Sequence, residues 1–165
     1  MHTSVYFTEI DSPVGKLCLT ASEVGLTGLY FSQGDKARQP EAAWLRNDQL
    51  LKEARTQLLA YFAGELKQFD LPLAPKVTPF QGRVLDALKG IPYGETRSYL
   101  QIAEAIGQPS ASRAVGNANG RNPIGIVIPC HRVITSQGRL GGFGGGLVAK
   151  QYLLNLECGQ KRQRH

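Results

Sequence analysis

The stretch Leu71-Pro72-Leu73-Ala74-Pro75-Lys76-Val77-Thr78-Pro79 divides the chain and decides its overall organisation. Its three prolines fall within eight residues, and each one lacks an amide donor and restricts the residue before it. A helix is therefore excluded here and extended backbone is favoured. The sequence predicts an N-terminal domain over residues 1–71, a proline-rich linker over 72–79 and a C-terminal domain over 80–165.

The residues before the linker predict a small α+β domain made of an antiparallel sheet and one helix. Runs typical of short strands lie at 5–7, 16–20 and 25–31, and the cluster at 11–15 predicts a turn between the first two. A helix is predicted from about residue 41 to 62, ending near Gly64. Its buried face would carry Leu51, Leu58, Leu59 and Phe62. This half shows no combination of residues that indicates catalysis.

The residues after the linker predict a mainly helical domain. Thr78 and Ser98 are suitable caps for two helices, of which the second ends at Gly107. A third, short helix is predicted over 110–119. Two short helices joined by a turn that contains glycine form a helix-turn-helix pattern. We therefore expect a winged-helix-like DNA-binding domain, although helix pairs of this kind also serve purely structural roles.

Charge is distributed unevenly between the two halves. Residues 1–75 hold seven basic and nine acidic side chains, whereas residues 76–165 hold twelve basic and four acidic ones. Such asymmetry favours a polyanionic partner, with nucleic acid first. The alternative is a solvated basic face with a basic tail at Lys161, Arg162 and Arg164. The three cysteines cannot all pair, and no apolar run is long enough to cross a membrane, so we expect a cytoplasmic protein.

The third predicted helix carries mostly Ser, Ala, Gly and Asn, with Arg113 as its one long cation. A helix that reads the major groove usually has several long polar side chains. Small residues let a helix approach a narrow groove or a sugar-phosphate wall, and they also allow close helix packing. We interpret the small residues as packing and Arg113 as functional.

The strongest chemical signal is Cys130-His131-Arg132, which follows the apolar stretch Ile124-Gly125-Ile126-Val127-Ile128-Pro129. Positive neighbours are expected to lower the pKa of the Cys130 thiol and to favour the nucleophilic thiolate. His131 is a candidate base, provided that the backbone turns at this point or a water bridges the two side chains. The alternative is an inert buried cysteine.

The sequence predicts neither a metal site nor an organic cofactor. Its three histidines are dispersed and no Cys-x-x-Cys is present, so the spacing of zinc ligands is absent. The run Gly141-Gly142-Phe143-Gly144-Gly145-Gly146 lacks the ending of a phosphate-binding loop. It indicates a loop whose bare backbone approaches a ligand or another segment of the chain. The helix after it, over 147–157, ends with Glu157, a solvated carboxylate or a partner for a histidine.

Ile128-Pro129-Cys130-His131-Arg132-Val133 resembles the active-site signature of the O6-alkylguanine-DNA alkyltransferases, also called methylated-DNA–protein-cysteine methyltransferases. The resemblance covers most of the basic half, from residue 78 to 145, whereas the N-terminal half is similar only in layout. Two positions differ from what is frequent in that family. Leu85 stands where Trp is common and should affect only packing. Phe143 stands where Tyr is common, so it keeps an apolar wall but lacks a hydroxyl, which bears on the range of substrates.

The resemblance implies a chemical role for four residues. Cys130 accepts the alkyl group, and His131 deprotonates it through a bound water. Glu157 holds and polarises His131, and Asn122 braces the active-site turn.

The resemblance also implies how the damaged base is held. Arg113 enters duplex DNA from the minor groove and fills the space of the extruded nucleotide, while Tyr99 bonds the flipped guanine. The carbonyl groups of Cys130 and Val133 contact its amino group, the backbone of Gly144 approaches O6, and Phe143 forms an apolar wall. We expect a monomer in the free state, and the sequence does not decide whether copies assemble cooperatively on DNA.

The function implied is repair of DNA by a single transfer of the alkyl group from O6-alkylguanine, and from O4-alkylthymine, to Cys130. Two alternatives remain at this point. One is a relative that binds lesions without catalysis, although relatives of that kind replace the cysteine. The other is a helix-turn-helix regulator in which Cys130 is structural.

Overall fold

The structure is a computed structural model that describes residues 4–34 and 37–162, with side chains as far as residue 159. The side chains of the predicted basic tail, Lys161, Arg162 and Arg164, lie outside that description. The predicted α+β fold class is confirmed, with a sheet and one helix in the N-terminal half and helices in the C-terminal half. Within the described residues, no helix is both long and apolar enough to cross a lipid bilayer.

The N-terminal half is built on a four-stranded sheet in the order β3-β2-β1-β4. Its strands are β1 (Tyr6–Ile10), β2 (Leu17–Ala21), β3 (Leu26–Phe31) and β4 (Leu45–Arg46). The first three pair antiparallel, as predicted, whereas β4 pairs parallel to β1. The predicted turn between β1 and β2 is present, where the amide of Gly15 donates to the carbonyl of Ser12 (3.0 Å) and Gly15 adopts φ +96°.

The predicted helix over 41–62 is wrong in its first part. Helix α1 spans Lys52–Phe62, and residues 45 and 46 form β4 instead. The side chain of Asn47 accepts the amide of Leu50 (3.0 Å), so the chain turns before the helix begins. The buried face of α1 is formed by Ala54, Leu58 and Tyr61, whereas Leu59 is exposed, contrary to prediction.

The proline-rich segment is extended and its first part runs beside β3. The amide of Leu26 donates to the carbonyl of Pro72 (2.9 Å), and the amide of Ala74 donates to the carbonyl of Leu26 (2.7 Å). Pro72 takes part through its carbonyl, so its missing amide costs no hydrogen bond at this position. This segment therefore packs against the sheet of the N-terminal half.

The C-terminal half contains helices α2 (Pro79–Lys89), α3 (Tyr99–Ala105), α4 (Ser112–Gly120) and α5 (Leu147–Arg162). Both predicted caps are confirmed, since Thr78 and Ser98 each form a reciprocal capping box with a glutamine three residues later. Helix α4 begins two residues later than predicted. A short parallel pair, β5 (Arg97–Ser98) with β6 (Val133–Ile134), lies next to a 3₁₀ helix at Cys130–Arg132.

Helix α5 does not end at residue 157 as predicted but continues to Arg162. Glu157 therefore lies inside the helix and is 1% exposed, so it is not a solvated carboxylate at a helix end. One hydrophobic core joins the sheet, α1 and the C-terminal helices. The core extends up to Cys130 and Val133, which fixes the position of the 3₁₀ helix.

Candidate active site

Two tight turns precede Cys130 and fix its position. The amide of Val127 donates to the carbonyl of Gly125 (2.8 Å), with Ile126 between them at φ 71°. This is a γ-turn of the rare, strained hand, and a β-branched residue in that conformation costs about 1–3 kcal/mol. The amide of Cys130 then donates to the carbonyl of Ile128 (2.8 Å) across Pro129, whose φ of −81° and ψ of 63° form the common inverse γ-turn.

Asn122 spans this strained segment from its two ends. Its Nδ2 donates to the carbonyl of Ile128 (2.8 Å), and its Oδ1 accepts the amide of Ile124 (3.0 Å). The side chain thus ties together the two residues that flank the turn at Ile126. These two hydrogen bonds hold the strained backbone, which would otherwise relax.

The Cys130 thiol lies at the start of the 3₁₀ helix and is 6% exposed. Burial raises the pKa of this thiol, although the side chain of Asn122 and the charge of Lys150 act in the opposite direction. The lowered pKa expected from its charged neighbours is therefore wrong, because burial has the larger effect. A neutral buried thiol needs a base before it can act as a strong nucleophile.

The candidate base, His131, follows Cys130 in the chain and is fully buried. The backbone turns in the 3₁₀ helix, as a role for His131 requires, and Nε2 of His131 lies 2.7 Å from Oε2 of Glu157. Its Nδ1 is buried and has no hydrogen-bond partner among residues 4–34 and 37–162. Burial lowers the pKa of His131, so the neutral imidazole donates from Nε2 and keeps a lone pair on Nδ1.

Glu157 is the centre of a buried network. Arg132 donates to it from Nε (2.8 Å) and Nη2 (3.1 Å), Tyr61 from its hydroxyl (2.6 Å) and Gly94 from its amide (3.2 Å). Burial alone would raise the pKa of Glu157, but the hydrogen bonds from His131 and Arg132 and the charge of Arg132 outweigh it and lower the pKa to about 2. The carboxylate is therefore ionised throughout the physiological range.

Lys150 was not predicted as part of the site. Its side chain is fully buried, and its Nζ donates to the carbonyls of Val133 (2.7 Å) and Gly142 (3.2 Å) and to that of Leu140. Burial lowers the pKa of this amine to about 8. One cation on α5 thus joins β6 to the glycine-rich loop. Nothing in the sequence around Lys150, which lies in the first turn of α5, indicates that it is buried, because lysine side chains are usually exposed.

A cavity of about 390 Å³ opens onto Cys130. A second one, of about 220 Å³, shares Phe143 and Gly144 with it and also contacts Tyr99. The first cavity is lined by the following residues from both halves of the chain: Leu29, Tyr30, Phe31, Ala37, Arg38, Asn119, Gly120, Arg121, Asn122, Pro123, Gly125, Cys130, Gly142, Phe143 and Gly144. With this volume, the first cavity is large enough for a small organic group. One of its walls comes from the N-terminal half.

Comparison with known proteins assigns both halves of the chain. Residues 79–159 match the DNA binding domain of 6-O-methylguanine DNA methyltransferase, and residues 5–75 match its ribonuclease-like domain. The chain belongs to the 6-O-methylguanine DNA methyltransferase family. The resemblance predicted from the motif at Cys130 is thereby confirmed.

Curated relatives and solved structures agree with this assignment. The methylated-DNA–protein-cysteine methyltransferase of Methanosarcina acetivorans is 52% identical over 93% of this chain and 98% of its own length. That of Mycolicibacterium paratuberculosis is 51% identical over 93% and 92%. The crystal structure of the Mycobacterium tuberculosis O6-methylguanine methyltransferase superposes with a TM-score of 0.87 at 48% identity, covering 94% of both chains. A structure of that protein in complex with DNA gives the same values.

Within this methyltransferase fold, the predicted site residues lie in four places. Cys130, His131, Glu157 and Asn122 lie together around the 3₁₀ helix. Tyr99, Phe143 and Gly144 line the cavities, and Arg113 is exposed on α4, outside both of them. The amide of Val133 donates to the carbonyl of Cys130, and the carbonyl of Val133 accepts Lys150.

Glycines in the 141–146 loop allow other parts of the methyltransferase to approach closely. A Cβ on Gly141 would lie 2.7 Å from the hydroxyl of Tyr99, and one on Gly145 would lie 2.6 Å from the ring of Phe31. Phe31 also packs edge-on against Phe143, with 5.3 Å between the ring centroids. The N-terminal half therefore supports the wall of the cavity that contains Cys130.

We predict that Lys150→Met loosens this loop. Methionine keeps an unbranched apolar stem but removes three hydrogen bonds from a charged donor, each worth about 1.5–3 kcal/mol before the relief of a buried charge is subtracted. Trypsin should then cleave after Arg139, an exposed residue two positions before the loop, about tenfold faster than in the unaltered protein. Lys89→Met, which breaks only an exposed pair with Asp86, is the control. Equal cleavage rates in all three proteins would refute the role of Lys150.

Proposed function

We propose that this protein repairs DNA by direct reversal, transferring the alkyl group of O6-alkylguanine, and of O4-alkylthymine, to the Sγ atom of Cys130. One observation carries the proposal. A buried thiol faces a cavity and is followed by a histidine whose Nε2 is hydrogen-bonded to a buried, ionised Glu157. The names and the DNA complex of close relatives support the substrate class.

In the proposed step, Nδ1 of His131 takes the thiol proton through a bridging water, and Glu157 stabilises the resulting imidazolium. The thiolate attacks the alkyl carbon as the carbon–oxygen bond breaks, so that one carbon–sulfur bond replaces it. The proton passes to the departing base, which leaves as unmodified guanine. Asn122 keeps the turn before Cys130 in place, and the burial of the site strengthens each of these electrostatic contacts.

The damaged base must leave the duplex before it can meet a thiol inside a cavity. In the proposal, the domain of residues 80–165 binds alkylated double-stranded DNA from the minor groove. Arg113, exposed on α4, fills the gap left by the flipped nucleotide. Tyr99, Phe143 and Gly144 hold the base, and the carbonyls of Cys130 and Val133 contact its amino group. The domain of residues 1–71 closes one side of the cavity.

The proposal includes a single turnover for each molecule. Transfer leaves a thioether on Cys130, and a thioether is exchanged neither by water nor by a second thiol. No cofactor is proposed to take the alkyl group onward. We also propose that the protein acts in the cytoplasm and is a monomer in the absence of DNA.

We predict that Arg113→Ala slows repair of duplex DNA much more than reaction with free O6-benzylguanine. Only the duplex requires a side chain to fill the gap, so a loss of about 10- to 100-fold is expected on DNA and little change on the free base. Rates are measured by intact-protein mass spectrometry on both substrates. Equal losses on both would make Arg113 a folding residue, and no reaction of the unaltered protein with either would favour a regulator without transfer activity.

A further inference from the structure

A tyrosine from the N-terminal half reaches the carboxylate of the His131–Glu157 pair. Tyr61 on α1 is fully buried, and its hydroxyl donates to Oε2 of Glu157 over 2.6 Å. The same oxygen lies 2.7 Å from Nε2 of His131. Nη2 of Arg132 donates to it as well, over 3.1 Å, so donors from both halves of the chain share one carboxylate oxygen.

We propose that Tyr61 is a positioning residue for alkyl transfer, which orients Oε2 of Glu157 and limits how strongly this oxygen stabilises protonated His131. The inference rests on the proposed function and deepens it. In this proposal the N-terminal half helps to control the protonation of His131, although the sequence of that half shows no catalytic pattern.

The hydroxyl of Tyr61 is not needed for packing. The Tyr61 ring lies within an aromatic cluster, at centroid distances of 5.4 Å from Phe62, 5.4 Å from Phe69 and 6.3 Å from Tyr93. A phenylalanine would fill the same space and keep these contacts. Burial and the charge of Glu157 raise the pKa of Tyr61, so its hydroxyl stays a donor at every relevant pH.

The hydrogen bond has a predictable effect on His131. A donor on Oε2 withdraws negative charge from the atom that stabilises the imidazolium, so its loss raises the pKa of His131. The other charged or titratable groups around the pair are Arg132 and Tyr93 beside Glu157, Lys150 on α5 and the Cys130 thiol. Replacing Tyr61 with phenylalanine alters none of these side chains.

The test is the pH profile of alkyl transfer from free O6-benzylguanine, recorded from about pH 5 to about pH 9. His131 must be neutral to act as a base, so activity falls on the acid side of the profile. In Tyr61→Phe, the midpoint of that acid limb should move upward by about one pH unit, as expected for the loss of one hydrogen bond to a charged group. A lower rate with an unchanged midpoint would overturn the proposal.

Tyr93→Phe is a matched control from the same aromatic cluster. The hydroxyl of Tyr93 is buried and has no hydrogen-bond partner within the described part of the chain, so its loss should leave the acid limb in place. An equal shift in both variants would assign the effect to the cluster and overturn the role of Tyr61. Failure of the unaltered protein to react would instead refute the proposed function, which separates the two claims.

A measurement on the unaltered protein covers the case in which Tyr61→Phe does not fold. A buried hydroxyl in a 2.6 Å hydrogen bond exchanges slowly and should give a downfield proton resonance. That resonance should move with the same midpoint as the ring protons of His131, one of three histidines in the chain. A hydroxyl signal that does not respond to protonation of His131 would overturn the proposal.

Discussion

Replacing Cys130 with serine is expected to remove alkyl transfer while leaving affinity for alkylated duplex DNA unchanged. Serine has a similar shape, so the cavity and the surface of α4 keep their form. Its hydroxyl is a far weaker nucleophile than a thiolate at neutral pH, and loss of a nucleophile lowers a rate by several orders of magnitude. The measurement is the mass gain of the intact protein with alkylated duplex, next to an electrophoretic binding assay.

Cys18→Ser is the matched control for this variant. Cys18 is also buried, but it lies in β2, and burial raises the pKa of its thiol to about 11. Its charged neighbours are Glu9, Arg38 and Arg46 rather than a histidine, so its replacement should leave transfer intact. Transfer that survives in Cys130→Ser would assign the acceptor to another residue.

Glu157→Gln is expected to have the largest effect on stability. Glutamine has nearly the same shape, but it leaves the guanidinium of Arg132 buried without a counter-charge. Breaking a buried ion pair from one side costs about 3–5 kcal/mol. Transfer should fall as well, because the imidazolium of His131 loses its partner. Unfolding in denaturant at neutral pH measures the change in the free energy of unfolding.

The contribution of Glu157 should also depend on pH in a defined direction. Its pKa is about 2 in the folded protein and near 4.5 in the unfolded chain, so the unfolded state binds more protons between these values. The stabilisation is therefore complete above about pH 4.5 and is lost as pH falls toward about 2. The difference in unfolding free energy between the unaltered protein and Glu157→Gln should shrink over that interval, and a constant difference would contradict the network.

Glu95→Gln shows whether an effect of this size is specific to the buried network. Glu95 forms an ion pair with Arg97 at 3.1 Å, but both side chains are more than one-third exposed. Exposed pairs contribute about 0–1 kcal/mol, so this variant should unfold almost like the unaltered protein. A loss comparable to that of Glu157→Gln would mean that burial is not the cause.

The sequence predicted those features that depend on neighbouring residues. Thr78 and Ser98 cap their helices because capping is a local interaction, and Cys130 and His131 are adjacent in a distinctive motif. The early start predicted for α1 failed because residues 45 and 46 gain hydrogen bonds from β1, which outweigh their helical preference. Leu59 is exposed because α1 turns Ala54, Leu58 and Tyr61 toward the core instead.

Apart from the contact between His131 and Glu157, which the family resemblance implied, the long-range contacts of the site could not be predicted from the sequence. Tyr61 and Glu157 are 96 residues apart, and nothing in the local pattern of α1 distinguishes Tyr61 from an ordinary core aromatic residue. The burial of Lys150 and the raised pKa of Cys130 likewise depend on the packing of several elements around each side chain. A pattern of charges in the sequence indicates neither how deeply a thiol is buried nor which carbonyls a lysine reaches.

The most direct test of the proposed repair reaction is to count transferred alkyl groups with alkylated duplex DNA in large excess over protein. We predict a rapid burst that stops at one alkyl group per chain, with the whole mass gain on the peptide that contains Cys130. Product that continues to accumulate beyond one equivalent, or a mass gain on any other peptide, would contradict stoichiometric transfer to Cys130.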